Sequence, residues 1–217
     1  MMSSVELIER SAEHVRRALA GDGSGHDWWH VDRVWRMAKR IGRAEGADLL
    51  VVELAALLHD IADWKAHGGD CAVGPEAAGK WLGSLGLDPG VSQHVREIIA
   101  GISFKGAGVE QPALSLEGKV VQDADRLDAM GAIGIARAFA YGGAKARLIH
   151  DPGVQPTEHD TSESYLNRAG TTINHFYEKL LLLKDRMNTA TGRAMAEKRH
   201  QFMEDFLRRF YEEWEGG

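Results

Sequence analysis

The sequence is poor in cysteine: its single thiol, Cys71, excludes an intrachain disulfide and any zinc site built on several thiolates. Positive charge does not dominate either. With 26 Lys and Arg against 32 Asp and Glu, the formal net charge is -6. That balance disfavours a protein whose main task is coating nucleic-acid backbone, because such affinity comes from neutralising many phosphates. No nucleic-acid polymer is expected as a partner. No apolar run approaches the length of a membrane span, and the longest, 49–58, is interrupted by Glu53. The first residues, MMSSVELIERSAEHVRRAL, carry charges where a secretory signal would need an apolar core. Together these absences predict a cytoplasmic chain with no membrane partner. No strand-like alternation and no internal repeat is present.

What is present is helical periodicity. Over 3–20, Val5, Ile8, Ala12, Val15 and Leu19 recur at three- and four-residue steps, the spacing of one apolar helix face. From Trp28 to about Glu45, Val31, Val34, Trp35, Ala38 and Ile41 alternate with Arg33, Arg36, Lys39 and Arg40 in the same period. The stretch 48–66 is apolar nearly all round in its middle, with Asp48 placed to cap it, and predicts a helix through the core. Shorter helices are expected over 75–86 and over 89–101, where Asp88-Pro89 gives a cap and a first-turn proline. Residues 101–112 read as a loop. Residues 114–141 predict one or two helices with a break near Met130-Gly131. The segment 142–160 has no periodicity and reads as a loop of roughly 20 residues, a length that is uncommon without a function, which makes it a candidate lid. Two long helices are expected over 162–186 and 190–214.

The adjacent pair His59-Asp60 lies in the most apolar of these helices, where two ionisable groups are costly unless paired or bound to a metal. His30 and Asp125 are the best suppliers of further ligands. Two imidazoles and two carboxylates suit Mn, Fe, Ni, Zn or Co and, less well, Mg. The segments HDWWHVDRV, LLHDIADWK and QDADRLDAMG occur in that order, with 29 residues from His30 to His59 and 65 from Asp60 to Asp125. In this they resemble the H…HD…D signature of the HD superfamily of metal-dependent phosphohydrolases. The core resemblance covers about residues 26–130, and the remainder is similar to a bacterial subgroup of small HD hydrolases. The resemblance implies an all-α HD-domain helical bundle over 1–217, with an N-terminal helix and C-terminal helices 162–214 packed on the core. It also implies one divalent metal ion on His30, His59, Asp60 and Asp125. The substrate it implies is a nucleotide or other small phosphoester, and a homodimer is left open.

Further residues have two readings each. On a helix over 48–66, Asp63 would project from the same face as Asp60; in the resembling hydrolases of guanosine tetraphosphate an acidic residue here positions or activates water, which makes Asp63 the candidate general base. A solvated carboxylate near a helix end is its bland reading. Lys65 can bind phosphate or simply complement a helix C-terminus. Arg33 and Arg126 sit within one turn of a candidate ligand and can clamp phosphate or pair with a carboxylate. His26 can contact substrate, support the ligands or cap the helix. Asp128, ambiguous with Asp123, can orient a ligand or meet a ribose hydroxyl. Lys105, and then Arg147 with His150, are candidates for an outer phosphate-binding wall. The tryptophans, Trp28, Trp29 and Trp64 among them, are expected in the core, with one of them stacking on a nucleobase as the second reading. Two rival functions remain. One is a di-iron HD-type oxygenase, for which His67 and His94 would have to add ligands; the other is a metal-binding regulatory module without turnover.

Overall fold

A computed structural model describes residues 2–20, 27–62, 70–102, 113–157 and 170–217. Among these, helices are the regular element and no strand occurs. The chain divides into two compact units, 1–104 with 111–124, and 105–110 with 125–217.

The first unit is built around α3 (Leu49–Leu58), with α1 (Ser4–Ala18), α2 (Trp28–Glu45) and α5 (Pro89–Ile102) packed against it and α4 (Val73–Ser84) packed on α5. Residues 51–58 of α3 are buried without interruption, which is why its sequence shows no polar face. The exception, Glu53, is neutralised in place: its Oε2 accepts from Trp35 Nε1 at 2.8 Å and from Lys39 Nζ at 3.1 Å. Asp48 caps the helix by accepting the Leu50 amide at 2.9 Å. On α1 the buried face is Leu7, Ser11 and Val15, and Val5, expected on the apolar side, is 62% exposed because it falls at the far edge of that arc.

The predicted helix over 48–66 is shorter than expected: α3 ends at Leu58, and His59-Asp60 forms the turn that follows. The last four carbonyls of a helix have no partner within it, and His59 Nδ1 takes one of them, that of Ala56, at 2.8 Å.

α6 (Leu116–Asp128) begins in the first unit, and its last turn, 125–128, belongs to the second. Its Glu117 joins the start of α3, accepting the Asp48 amide at 3.1 Å, and lies 3.8 Å from His94 Nε2. Burial alone would raise the pKa of this carboxyl. The amides of Glu117 and Asp48, His94 and the Ser115 hydroxyl outweigh burial and hold it below the usual carboxylate range. A depressed folded pKa adds stability above the unfolded value and loses it as pH falls through the folded one. Glu117→Gln should therefore lower Tm at pH 7, with the deficit shrinking below about pH 4. An equal deficit at pH 7 and pH 3 in thermal melts would contradict this.

In the second unit α7 (Gly131–Ala144) packs against α8 (Ala190–Trp214), whose N-cap Thr189 accepts the Gly192 amide at 2.9 Å. The predicted break between α6 and α7 is present: Gly131 has φ +69°, and a Cβ there would lie 3.1 Å from Arg199 Cγ. Gly131→Ala is expected to destabilise the protein by about 1–2 kcal/mol through the left-handed backbone alone, measured by urea unfolding; unchanged stability would contradict it. The helix expected over 162–186 is not regular where described. A π segment, Phe176–Leu180, runs directly into a 3-10 segment, Leu181–Arg186. Phe176 packs with Phe139 and Phe206 at centroid distances of 6.2 and 5.8 Å.

The loop expected over 142–160 is better tied than a slack connector. α7 continues to Ala144, the Leu148 and Ile149 carbonyls accept the Thr172 and Ile173 amides at 2.9 and 3.0 Å, and Asn174 donates to the Val154 carbonyl at 2.9 Å. Residues 158–160 lie outside the described part. The expectation of a mobile lid rested on a segment that neither packs nor pairs; residues 145–157 stay largely exposed, but these hydrogen bonds pair them.

Candidate metal centre

Two helix ends meet at one point of the first unit. At the start of α2, Asp27 is extended (φ -76°, ψ 173°) and its Oδ1 accepts the His30 amide at 2.9 Å, which fixes the first turn and turns His30 inward at 1% exposure. At the end of α3, the bond from His59 Nδ1 to the Ala56 carbonyl selects the tautomer of the neutral ring, since a carbonyl can only accept. Nδ1 carries the hydrogen, so the neutral ring keeps a lone pair on Nε2. A backbone partner on one imidazole nitrogen is the usual way a ligating histidine is oriented.

The two Nε2 atoms lie 3.3 Å apart, with the rings edge to face at a centroid distance of 5.3 Å. Asp60 Oδ2 completes a triangle, 3.3 Å from His30 Nε2 and 3.5 Å from His59 Nε2. An ion about 2.0–2.2 Å from each of three nitrogen or oxygen donors requires them about 3.0–3.5 Å apart, so these residues fit a small divalent cation. His30, His59 and Asp60 form the group able to hold one among the described residues. Both histidines are buried, whereas the Asp60 side chain keeps 20% of its surface exposed, leaving one side of the group open. Two nitrogens and one oxygen suit a first-row transition ion better than calcium.

The other residues singled out in the sequence are distributed as follows. Arg33 is half-buried on α2, one turn beyond His30. Asp125 is half-buried on the last turn of α6, in the second unit. His26, Asp63, Lys65 and Lys105, with Trp64 and His67, lie outside the described residues. Arg126 donates through Nη1 to the Arg186 carbonyl, tying the end of α6 to the 3-10 segment. Asp128, 1% exposed, pairs with Arg137 Nη1 at 2.9 Å. The Arg147 guanidinium lies over the Tyr141 ring at 5.5 Å, and His150 is set edge to face among Phe210, Tyr211 and Trp214. His94 faces Ser115 Oγ at 2.8 Å and so is engaged away from the triangle.

Three contributors were missed in the sequence. Asp27 carried a readable signal, an Asp directly before an amphipathic run. The Ala56 carbonyl carried none, because backbone atoms leave no trace in residue identity. Nor did Arg137, which is joined to Asp128 across the break between α6 and α7. The expectation of core tryptophans also needs correction. None of the five described is fully buried, and Trp29 is 59% exposed.

An all-helical body with two imidazoles and a carboxylate converging at consecutive motif positions is the pattern of HD-type metal-binding proteins. The chain belongs to the HD domain family, whose profile matches residues 28–130. It is 41% identical over 208 residues, 95% of this chain and 93% of the other, to the uncharacterized protein YpgQ of Bacillus subtilis. A Bacillus thuringiensis protein described as an HD-superfamily hydrolase is 43% identical, with a TM-score of 0.77 and coverage of 99% of this chain and 100% of that one. A Lactobacillus plantarum protein of known structure superposes at a TM-score of 0.86, with 41% identity and full coverage of both chains. YpgQ has been crystallised in complex with ADP, and that structure matches this chain at a TM-score of 0.75, with 34% identity by superposition and coverage of 98% and 97%. Family and site together support a metal-dependent hydrolase in general terms.

Proposed function

We propose that the protein is a metal-dependent phosphohydrolase acting on a nucleotide or another small phosphoester, with one divalent ion held by His30, His59, Asp60 and Asp125. The observation that carries this reading is the triangle of His30 Nε2, His59 Nε2 and Asp60 Oδ2, with sides of 3.3, 3.3 and 3.5 Å. Asp125 is added on the order of the H…HD…D motif. The B. thuringiensis hydrolase supports the reaction type, and the ADP complex of YpgQ supports a nucleoside phosphate as ligand. No helix among the described residues is long and apolar enough to cross a membrane, which agrees with a cytoplasmic small-molecule enzyme.

When bound, a divalent ion supplies a more acidic water and neutralises charge developing on phosphorus. The chain's own residues do the rest. The His59 ring, held by Ala56, cannot rotate away without losing that bond. Asp63 takes the proton of the attacking water, and Arg33 and Lys65 offset the charge of the transferred phosphoryl group. His26, Lys105 and Arg147 contact the remainder of the substrate. The contacts of Arg126 and Asp128 favour a positioning part for both, holding the turn of α6 that carries Asp125, over the substrate contact expected from the sequence.

The test is metal counting by elemental analysis, paired with phosphate release from a panel of nucleotides and simple phosphoesters in Mn, Co, Ni, Zn and Mg. One ion per chain with metal-stimulated phosphate release is the expected result. Two irons per chain, or no hydrolysis of any phosphoester, would sink the proposal.

A further inference from the structure

We infer that Trp29 is the platform on which the base of a nucleotide substrate stacks while its phosphates are held at His30, His59 and Asp60. The inference rests on the phosphohydrolase reading and supplies the recognition element that reading lacks. Trp29 directly precedes His30 on the first turn of α2, so a capped helix rather than a loop fixes its backbone next to that of a metal donor. Successive helical residues turn by about 100° and rise about 1.5 Å, so with His30 directed inward its neighbour stands on the flank of the same helix end.

Exposure and the lack of a ring or indole contact among the described residues together set Trp29 apart from Trp35 and Trp81, and from Trp214, which is 49% exposed but stacks on Phe210. The indole N–H of Trp35 bonds Glu53 at 2.8 Å and that of Trp81 bonds Ser11 at 3.0 Å, and both rings are half-buried, whereas Trp29 is 59% exposed. Arg33 follows four residues later on the same helix face. A flat apolar ring and a guanidinium thus stand one turn apart, with a metal ligand between them in sequence. That combination fits a ligand with a planar base at one end and anionic groups at the other. Stacking on an indole is tolerant of base identity, so the platform distinguishes nucleotides from simple phosphoesters rather than one base from another.

The test is calorimetric titration of the full-length, Mn-loaded protein with methylene-bridged ADP and with methylene diphosphonate. Neither probe can be cleaved at the bridge, so binding is read apart from turnover. The wild type should bind the nucleotide more tightly than the diphosphonate. Trp29→Ala should weaken nucleotide binding about 10- to 100-fold, equal to about 1.4–2.8 kcal/mol at 1.4 kcal/mol per tenfold. It should leave diphosphonate affinity and metal content in place, and Trp29→Phe should restore most of the loss. Equal nucleotide affinity in wild type and Trp29→Ala overturns the platform and leaves the phosphohydrolase reading standing. Parallel loss of both probes in Trp29→Ala shows a merely structural residue and also overturns it. A wild type that binds neither probe overturns the phosphohydrolase reading, and the platform falls with it.

Discussion

His59→Ala is expected to leave the purified protein without stoichiometric metal. The substitution removes Nε2, which lies 3.3 Å from His30 Nε2 and 3.5 Å from Asp60 Oδ2 and forms one corner of the site. It also removes the ring that closes the end of α3 on the Ala56 carbonyl. Losing a supporting partner of a ligand typically costs about 10- to 100-fold in metal affinity, and losing the ligand itself should exceed that. Asp125→Ala should have the same effect with α3 intact, which separates metal loss from damage to the helix end. The measurement is metal per chain after dialysis, with circular dichroism as the control for folding. About one ion per chain in either variant would remove that residue from the ligand set.

Asp63→Asn is expected to divide the site's two tasks, keeping the metal while lowering kcat by about 10²- to 10⁴-fold, the usual range for a lost general base. An amide matches the carboxylate in shape but cannot take a proton from water. The variant should also lose the acidic limb of the pH–rate profile, which a purely structural residue would not affect. Loss of metal in Asp63→Asn would make Asp63 a ligand, and full activity would remove it from the mechanism.

Much of the helical plan was legible in the sequence, because capping and period agree. Asp48, Asp88 and the Met130-Gly131 break mark where α3, α5 and α7 begin, and Trp28–Glu45 shows its buried face directly. The end of α3 was not legible. Apolar residues continue through Ile61 and Ala62, yet a side chain, His59, takes the carbonyl that closes the helix. The leucine run in 180–183 reports burial but not geometry, and the chain satisfies it with π and 3-10 turns rather than an α-helix. For the site, motif order located His30, His59 and Asp60. The tautomer of His59 and the pairing of Asp128 with Arg137 depend on atoms brought together only by folding. Trp29 carries a similar lesson. Its residue type favoured the core over a nucleobase contact, and its exposure next to His30 reverses that order.

Metal dependence of phosphate release tests the central claim most directly. Wild-type protein stripped with a chelator, dialysed and assayed on a nucleoside diphosphate should release no phosphate, and activity should return as about one equivalent of Mn is added back. His59→Ala, carried through the same titration, should stay inactive at that level of metal. Phosphate release that persists in the stripped protein, or that returns equally in His59→Ala, would contradict the account.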